Sequence, residues 1–214
     1  MDDLLPDARH AARPGGVAVE GRMVLPARSW PCPRLDVLSL LFRLHSEGLA
    51  ARTLAGPVPD EHEMRHLLRY EQRATRELRQ VFDAHGWPGV SVVGEIGAEA
   101  AWWLAMTCDR HSVFQHDAAG LLAEAVEAGD APARHAASLE DRLLMHDGDR
   151  QTFGTQWVLH DDGSITLYPV ADRAALAERR REVGLPETVD EREVRLLCLT
   201  RRPRPHAPSP TRTL

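Results

Sequence analysis

Lysine is missing from this 214-residue chain, and all 26 basic positions are arginine. With 15 prolines, that bias reads as the mark of a GC-rich genome and carries no functional message. Long apolar runs are missing too: none reaches the ~18 residues a membrane-spanning helix needs. The opening MDDLLPDARHAARPGG is acidic and broken by proline, unlike a secretory signal. Cys32, Cys108 and Cys198 stand far apart, without disulfide or metal spacing, so a reducing cytoplasm is the expected location. There is no Gly-x-Ser-x-Gly elbow, and Gly94 with Gly97 is too sparse a pair for a nucleotide-binding fingerprint. A net charge of −6 argues against nucleic acid as a partner, since that binding relies on a basic face. The local exception, RRPRPHAPSPTRTL from Arg201, has the composition of a disordered tail.

What is present suits one globular domain with loose ends: 43% of residues are hydrophobic. Residues 1–33 are rich in Pro, Gly and Ala and read as a flexible segment, with a short strand near Val17–Leu25. The globular part spans 34–200, and 201–214 form the tail. Leu35, Leu38, Leu41, Phe42 and His45 follow helical spacing over Leu35–Leu49. After the break at Gly56, Pro57 and Pro59, Asp60 and Glu63 make an Asp-x-x-Glu capping box. It opens a long helix with Met64, Leu67, Leu68, Leu78, Val81 and Phe82 on one stripe, ended by Gly86 and Trp87-Pro88-Gly89. Gly94–Cys108 is apolar nearly all round, as a central core helix would be. Ser112 and Gln115 read as a second capping box for a helix stopping at Gly129, and Pro132 starts another that stops at Gly148. Arg150–His160 and Ser164–Val170 read as strands around an Asp161-Asp162-Gly163 turn. Helices follow over Asp172–Gly184 and Glu191–Leu199. The expected architecture is mainly α: a single helical domain of about six helices with one β-hairpin.

His62-Glu63-Met64-Arg65-His66 matches H-E-x-x-H, the helix motif that offers zinc two imidazoles and a general base. Three points oppose a zinc site here. Both histidines lie opposite the Met64/Leu67/Leu68/Leu78 stripe and should face solvent. Glu63 has a competing role in the cap. No third ligand follows at a known spacing, whereas catalytic zinc takes three protein ligands. The expectation is therefore no cofactor, with zinc at His62 and His66 as the opposed alternative.

Polar residues on faces that periodicity marks as buried carry more weight, because burying one unpaired is costly. Glu71 sits in the middle of the long helix's apolar stripe, with Gln72 off to one side. Arg142 shares a stripe with His135, Leu139 and His146, whereas Asp141 points elsewhere. Gln115 lies at the edge of its helix's buried face, and Arg180 falls in line with Leu176 and Val183. In the hairpin, Gln151, Phe153, Thr155 and Trp157 share one face; Thr152, Gly154 and Gln156 share the other. Glu71, Gln115, Arg142, Gln156 and Arg180 thus form a candidate polar cluster from five elements. Two readings stay open. In one, arginine binds an anion and Glu71 serves as base or acceptor; in the other, the cluster is a buried ion-pair network that fixes geometry.

Several short motifs recur in order: Glu71-Gln72, Trp87-Pro88-Gly89, Ala100-Ala101-Trp102, Phe114-Gln115, Asp141-Arg142, Gly154-Thr155-Gln156 and RRREVGLP at 179–186. Over about 71–186 the chain resembles a bacterial, actinomycete-rich family of unknown function, number 6624, as a divergent member. The resemblance implies Asp where Glu71 stands, Arg at Thr75 and a Gln-His pair at Met106–Thr107, so a family histidine is absent from Thr107. It implies no activity. The functional expectation is a polar pocket, with Glu71 and Arg142 as catalytic candidates. Gln72, Gln115, Gln156 and Arg180 would bind a small acidic molecule or peptide. The alternatives are a non-enzymatic protein that engages a partner protein, and a zinc hydrolase.

Overall fold

Asp60 starts the longest helix as its capping box predicts: its carboxylate accepts from the Glu63 amide (2.8 Å) and the Glu63 carboxylate accepts from the Asp60 amide (3.0 Å). The structure is a computed structural model that describes residues 34–55, 59–160 and 164–189. Its helices are α1 (Leu35–Ala55), α2 (Glu61–His85), α3 (Val90–Thr107), α4 (Ser112–Glu127), α5 (Ala133–His146) and α6 (Leu176–Glu182). Two strands, β1 (Trp157–Leu159) and β2 (Ile165–Leu167), pair antiparallel with Val158 opposite Thr166. The described part is mainly α with one hairpin, as the sequence predicts. The readings at 1–33, 56–58, 161–163, 191–199 and 201–214 lie outside the described residues. No described helix is long and apolar enough to cross a membrane.

α1 packs on α2 and α3, α4 packs on α5, and α3 touches both pairs. Leu41, Leu44, Leu78, Leu104, Leu122 and Leu139 are fully buried where these faces meet. Each contributes about 1.5–3 kcal/mol by leaving water. Gly48 sets the closest approach of α1: a Cβ there would lie 2.3 Å from the Tyr70 hydroxyl and 2.9 Å from the Trp103 ring. Tyr70 uses that approach to donate to the Leu44 carbonyl (2.7 Å).

α3 starts before the predicted Gly94, and Gly94 itself (φ 74°) breaks the helical path after its first turn. Asp130 caps this start from afar: its carboxylate accepts from the Ser91 amide (2.6 Å) and hydroxyl (2.8 Å), and its carbonyl accepts from the Val90 amide (2.9 Å). Gly89 leaves the room, since a Cβ would stand 2.3 Å from that carboxylate.

Three local expectations are corrected. The Ser112–Gln115 capping box does not form, because His111 is the N-cap and no side chain caps α4. The first strand does not begin at Arg150; Thr152–Gln156 is a loop in which Gly154 takes φ 67°, a left-handed value that ends the strand alternation. The helix expected from Asp172 begins only at Leu176, because the Asp172 carboxylate caps the preceding turn by accepting from Ala174 (3.0 Å) and Ala175 (3.4 Å).

Candidate functional site

The short segment Cys108–His111, between α3 and α4, gathers the polar groups. Glu71 projects from α2 and is 2% exposed. One carboxylate oxygen accepts from Arg52 of α1 (3.1 Å). The other stands 3.7 Å from the Arg110 guanidinium and accepts no hydrogen bond. Burial pushes the Glu71 carboxyl above its usual range, with Asp109 adding to the push, while Arg52 and Arg110 oppose it. Arg52 also donates to the Thr107 carbonyl and lies over the rings of Tyr70 (5.7 Å) and Trp103 (5.3 Å). Cys108 is buried, and that burial pushes its thiol up to about 12, so it is no nucleophile at neutral pH.

Asp109 faces the other way. Arg142 grips its carboxylate with two guanidinium nitrogens, Nε at 2.9 Å and Nη2, and gives a third hydrogen bond to the Gln156 side-chain oxygen (3.2 Å). Arg142 and Gln156 therefore meet as the sequence suggested, and Glu71 reaches them only through the 108–111 segment.

Gln115 and Arg180 are buried as predicted, but each completes backbone. Gln115 donates to the Ala105 carbonyl (3.0 Å) at the open end of α3, leaving its own oxygen without a partner. Arg180 donates to the carbonyls of Phe153 (2.7 Å), Gly154 (3.2 Å) and Pro186. Burial lowers its pKa. The residue that organises the loop was not among the candidates: Asp141 is fully buried. Its carboxylate accepts from the amides of Thr152 (2.7 Å), Phe153 (2.9 Å) and Thr155 (3.0 Å) and from the Thr155 hydroxyl (2.8 Å). Gln151 closes the loop by exchanging hydrogen bonds with the Gln156 backbone (2.8 and 3.1 Å).

On the α2 side of Cys108–His111 the surface opens. A cavity of about 290 Å³ is lined by Thr75, Arg79, Arg110, His111 and the Ser112–Phe114 start of α4. A wider one of about 480 Å³ shares Thr75, Arg79 and His111 with it and adds Gln72, Arg76, Gln80 and Asp83. Together they form one groove between α2 and the start of α4. Arg79 reaches Asp117 (3.2 Å), whereas Arg76 has no hydrogen bond or ion pair with any described residue. Uncapped, the first amides of α4 remain outside the helix ladder at this groove. His111 is held below its ordinary pKa, chiefly by burial and further by Arg79 and Arg110. Arg79 and Arg110 escaped the sequence reading, and Arg76 stands next to Thr75, where the resemblance implies Arg. Their signal was an i, i+3 arginine pair beside a helix start without an acid in its first turn. Thr75, where the resemblance implies Arg, is buried and donates to the Glu71 carbonyl (2.7 Å). Thr107, where the resemblance implies histidine, donates to the Trp103 carbonyl (2.9 Å).

His62 and His66 are both exposed on α2. Among the described residues no group of three or more His, Cys, Asp or Glu stands close enough to share a metal ion. Neither a curated protein nor a solved structure matches the chain. A family description does match, across residues 53–200, more than half of the sequence. The chain belongs to that family, the family of unknown function DUF6624.

Proposed function

We propose that the groove between α2 and the start of α4 binds a small acidic molecule, a carboxylate or phosphoryl compound or an acidic peptide end. The observation that carries this reading is the convergence of Arg76, Arg79 and Arg110 on two adjoining cavities at an uncapped helix start, with Arg79 lining both. Guanidinium groups match such anions in a two-pronged geometry, and α4's positive end adds to their field. Gln72 lines the wider half and supplies a neutral amide. In this reading Glu71 is the proton acceptor behind Arg110, supported by its unpartnered oxygen. Arg142 and Gln156 act at one remove: Gln156 accepts from Arg142, and Arg142, by holding Asp109, fixes the segment that presents Arg110.

The test is a nuclear magnetic resonance titration with inorganic phosphate, citrate and an acidic peptide. Saturable shifts at residues 110–114, lost in Arg79→Ala/Arg110→Ala, are the expected result. No shift with any probe, or shifts unchanged in that variant, would overturn the reading. A second reading, a non-enzymatic accessory protein, is favoured by the Asp141–Arg180 half of the cluster, where backbone groups of the chain itself occupy the charged side chains.

A further inference from the structure

One face of α1 turns away from the core yet carries no charge. Leu35, Phe42 and Leu49 recur there every seven residues and are 62%, 39% and 46% exposed. Ser39, Ser46 and Thr53, also exposed, stand between and after them. At 3.6 residues per turn these six share a strip about 80° wide and about 27 Å long. The charged residues of α1 are committed elsewhere: Asp36 pairs with Arg34, while Arg43 pairs with Glu77, Glu47 with Arg73 and Arg52 with Glu71, these three partners on α2. The strip therefore alternates one large apolar residue with one small residue along its whole length.

We propose that this strip is the contact between two copies of the chain, packed antiparallel about a two-fold axis at the level of Leu44. In that register Phe42 faces the partner's Ser46, Leu49 faces the partner's Ser39, and Leu35 faces the partner's Thr53. Every large side chain meets a small one, as knobs meet holes in packed helices. A parallel pairing would set Leu on Leu and Phe on Phe. The match is self-complementary, which is what a two-fold contact demands. One helical strip of this length buries less than the ~800 Å² per partner typical of stable complexes, so the association is reversible and micromolar. Nearly all of α1 precedes residue 53, so the contact is a property of this chain outside the family-matched segment.

Sedimentation equilibrium of the full chain, from low micromolar to several hundred micromolar, tests this. A reversible monomer–dimer equilibrium is expected, weakened at least about tenfold by Phe42→Glu, as truncation or charging of a central contact does. Phe42→Ser and Ser46→Phe should each weaken it too, the first by leaving a gap and the second by setting Phe on Phe. The double variant Phe42→Ser/Ser46→Phe restores large against small and should return to within about threefold of the parent, the signature of coupled positions. A chain that stays monomeric throughout, or a dimer unmoved by Phe42→Glu, overturns the contact. Failure of the double variant to recover overturns the register. Phe42 and Ser46 are exposed on the helix, so unchanged thermal unfolding of all four variants separates association from folding.

Discussion

The loop Thr152–Thr155 and the first turn of α4 pose the same problem and are completed in opposite ways. Each presents amide N–H groups that no helix or sheet ladder satisfies. At the loop, Asp141 fills that need from α5, while Arg180 and Arg179 take the carbonyls that point outward. At α4, Gln115, the expected capping partner, is turned inward to α3, and the residues gathered around the helix start are arginines. Charged groups saturated by the chain's own backbone build architecture. Charged groups left facing a cavity are what a ligand can use.

The largest expected effect breaks the closed side. Asp141→Ala strips four donors of one buried acceptor and removes a negative charge that favours the buried Arg180 guanidinium, costing about 3–5 kcal/mol in urea unfolding. An unchanged midpoint would show that the loop does not depend on this carboxylate. The open side should respond in the other currency. Arg79→Ala/Arg110→Ala is expected to weaken phosphate or citrate binding by more than about tenfold, as loss of charged hydrogen bonds does. The same variant should move the melting temperature by no more than about 3 °C. A collapse in stability without a specific binding loss would erase the contrast.

A smaller effect sharpens the boundary between the two. Burial raises Glu71 above its ordinary 4.5, so the folded chain keeps this proton to higher pH than the unfolded chain. The contribution is therefore fully present below pH 4.5 and declines as pH rises through the folded value. Glu71→Gln removes that decline, so its stability relative to the parent should improve as pH rises from 4.5 toward neutral. A difference that is flat with pH would mean Arg52 and Arg110 fully offset the burial. The smallest effect is expected at His66→Ala. On an exposed face, it should shift stability by less than about 0.5 kcal/mol and leave metal content unchanged. One zinc per chain, lost in that variant, would make the His62–His66 pair a site after all.

Periodicity and capping chemistry made much of this fold legible. Asp60 and Glu63 mark the start of α2 because both partners of that cap lie within four residues. Glu71, Gln115 and Arg180 could be placed inside because each lies on or beside an apolar helical stripe. What stayed hidden depends on partners distant in sequence. Asp141 reads as pointing away from the Arg142 stripe, and the amides it serves lie 11–14 residues on, in a loop that reads as strand until Gly154 takes a left-handed turn. Asp130 caps α3 across 39 residues, and Arg52 reaches Glu71 across 19. Arg79 and Arg110 looked like ordinary solvated surface; only the fold brings them to one groove.

Arg52 also has a bearing on how this family is handled and compared. It sits one residue before the matched segment at 53–200, on a helix that covers Tyr70 and Trp103 and supplies a hydrogen bond to the Glu71 carboxylate. A fragment cut at residue 53 would expose sticky apolar surface and strand a buried anion, and would be expected to aggregate or take up a proton.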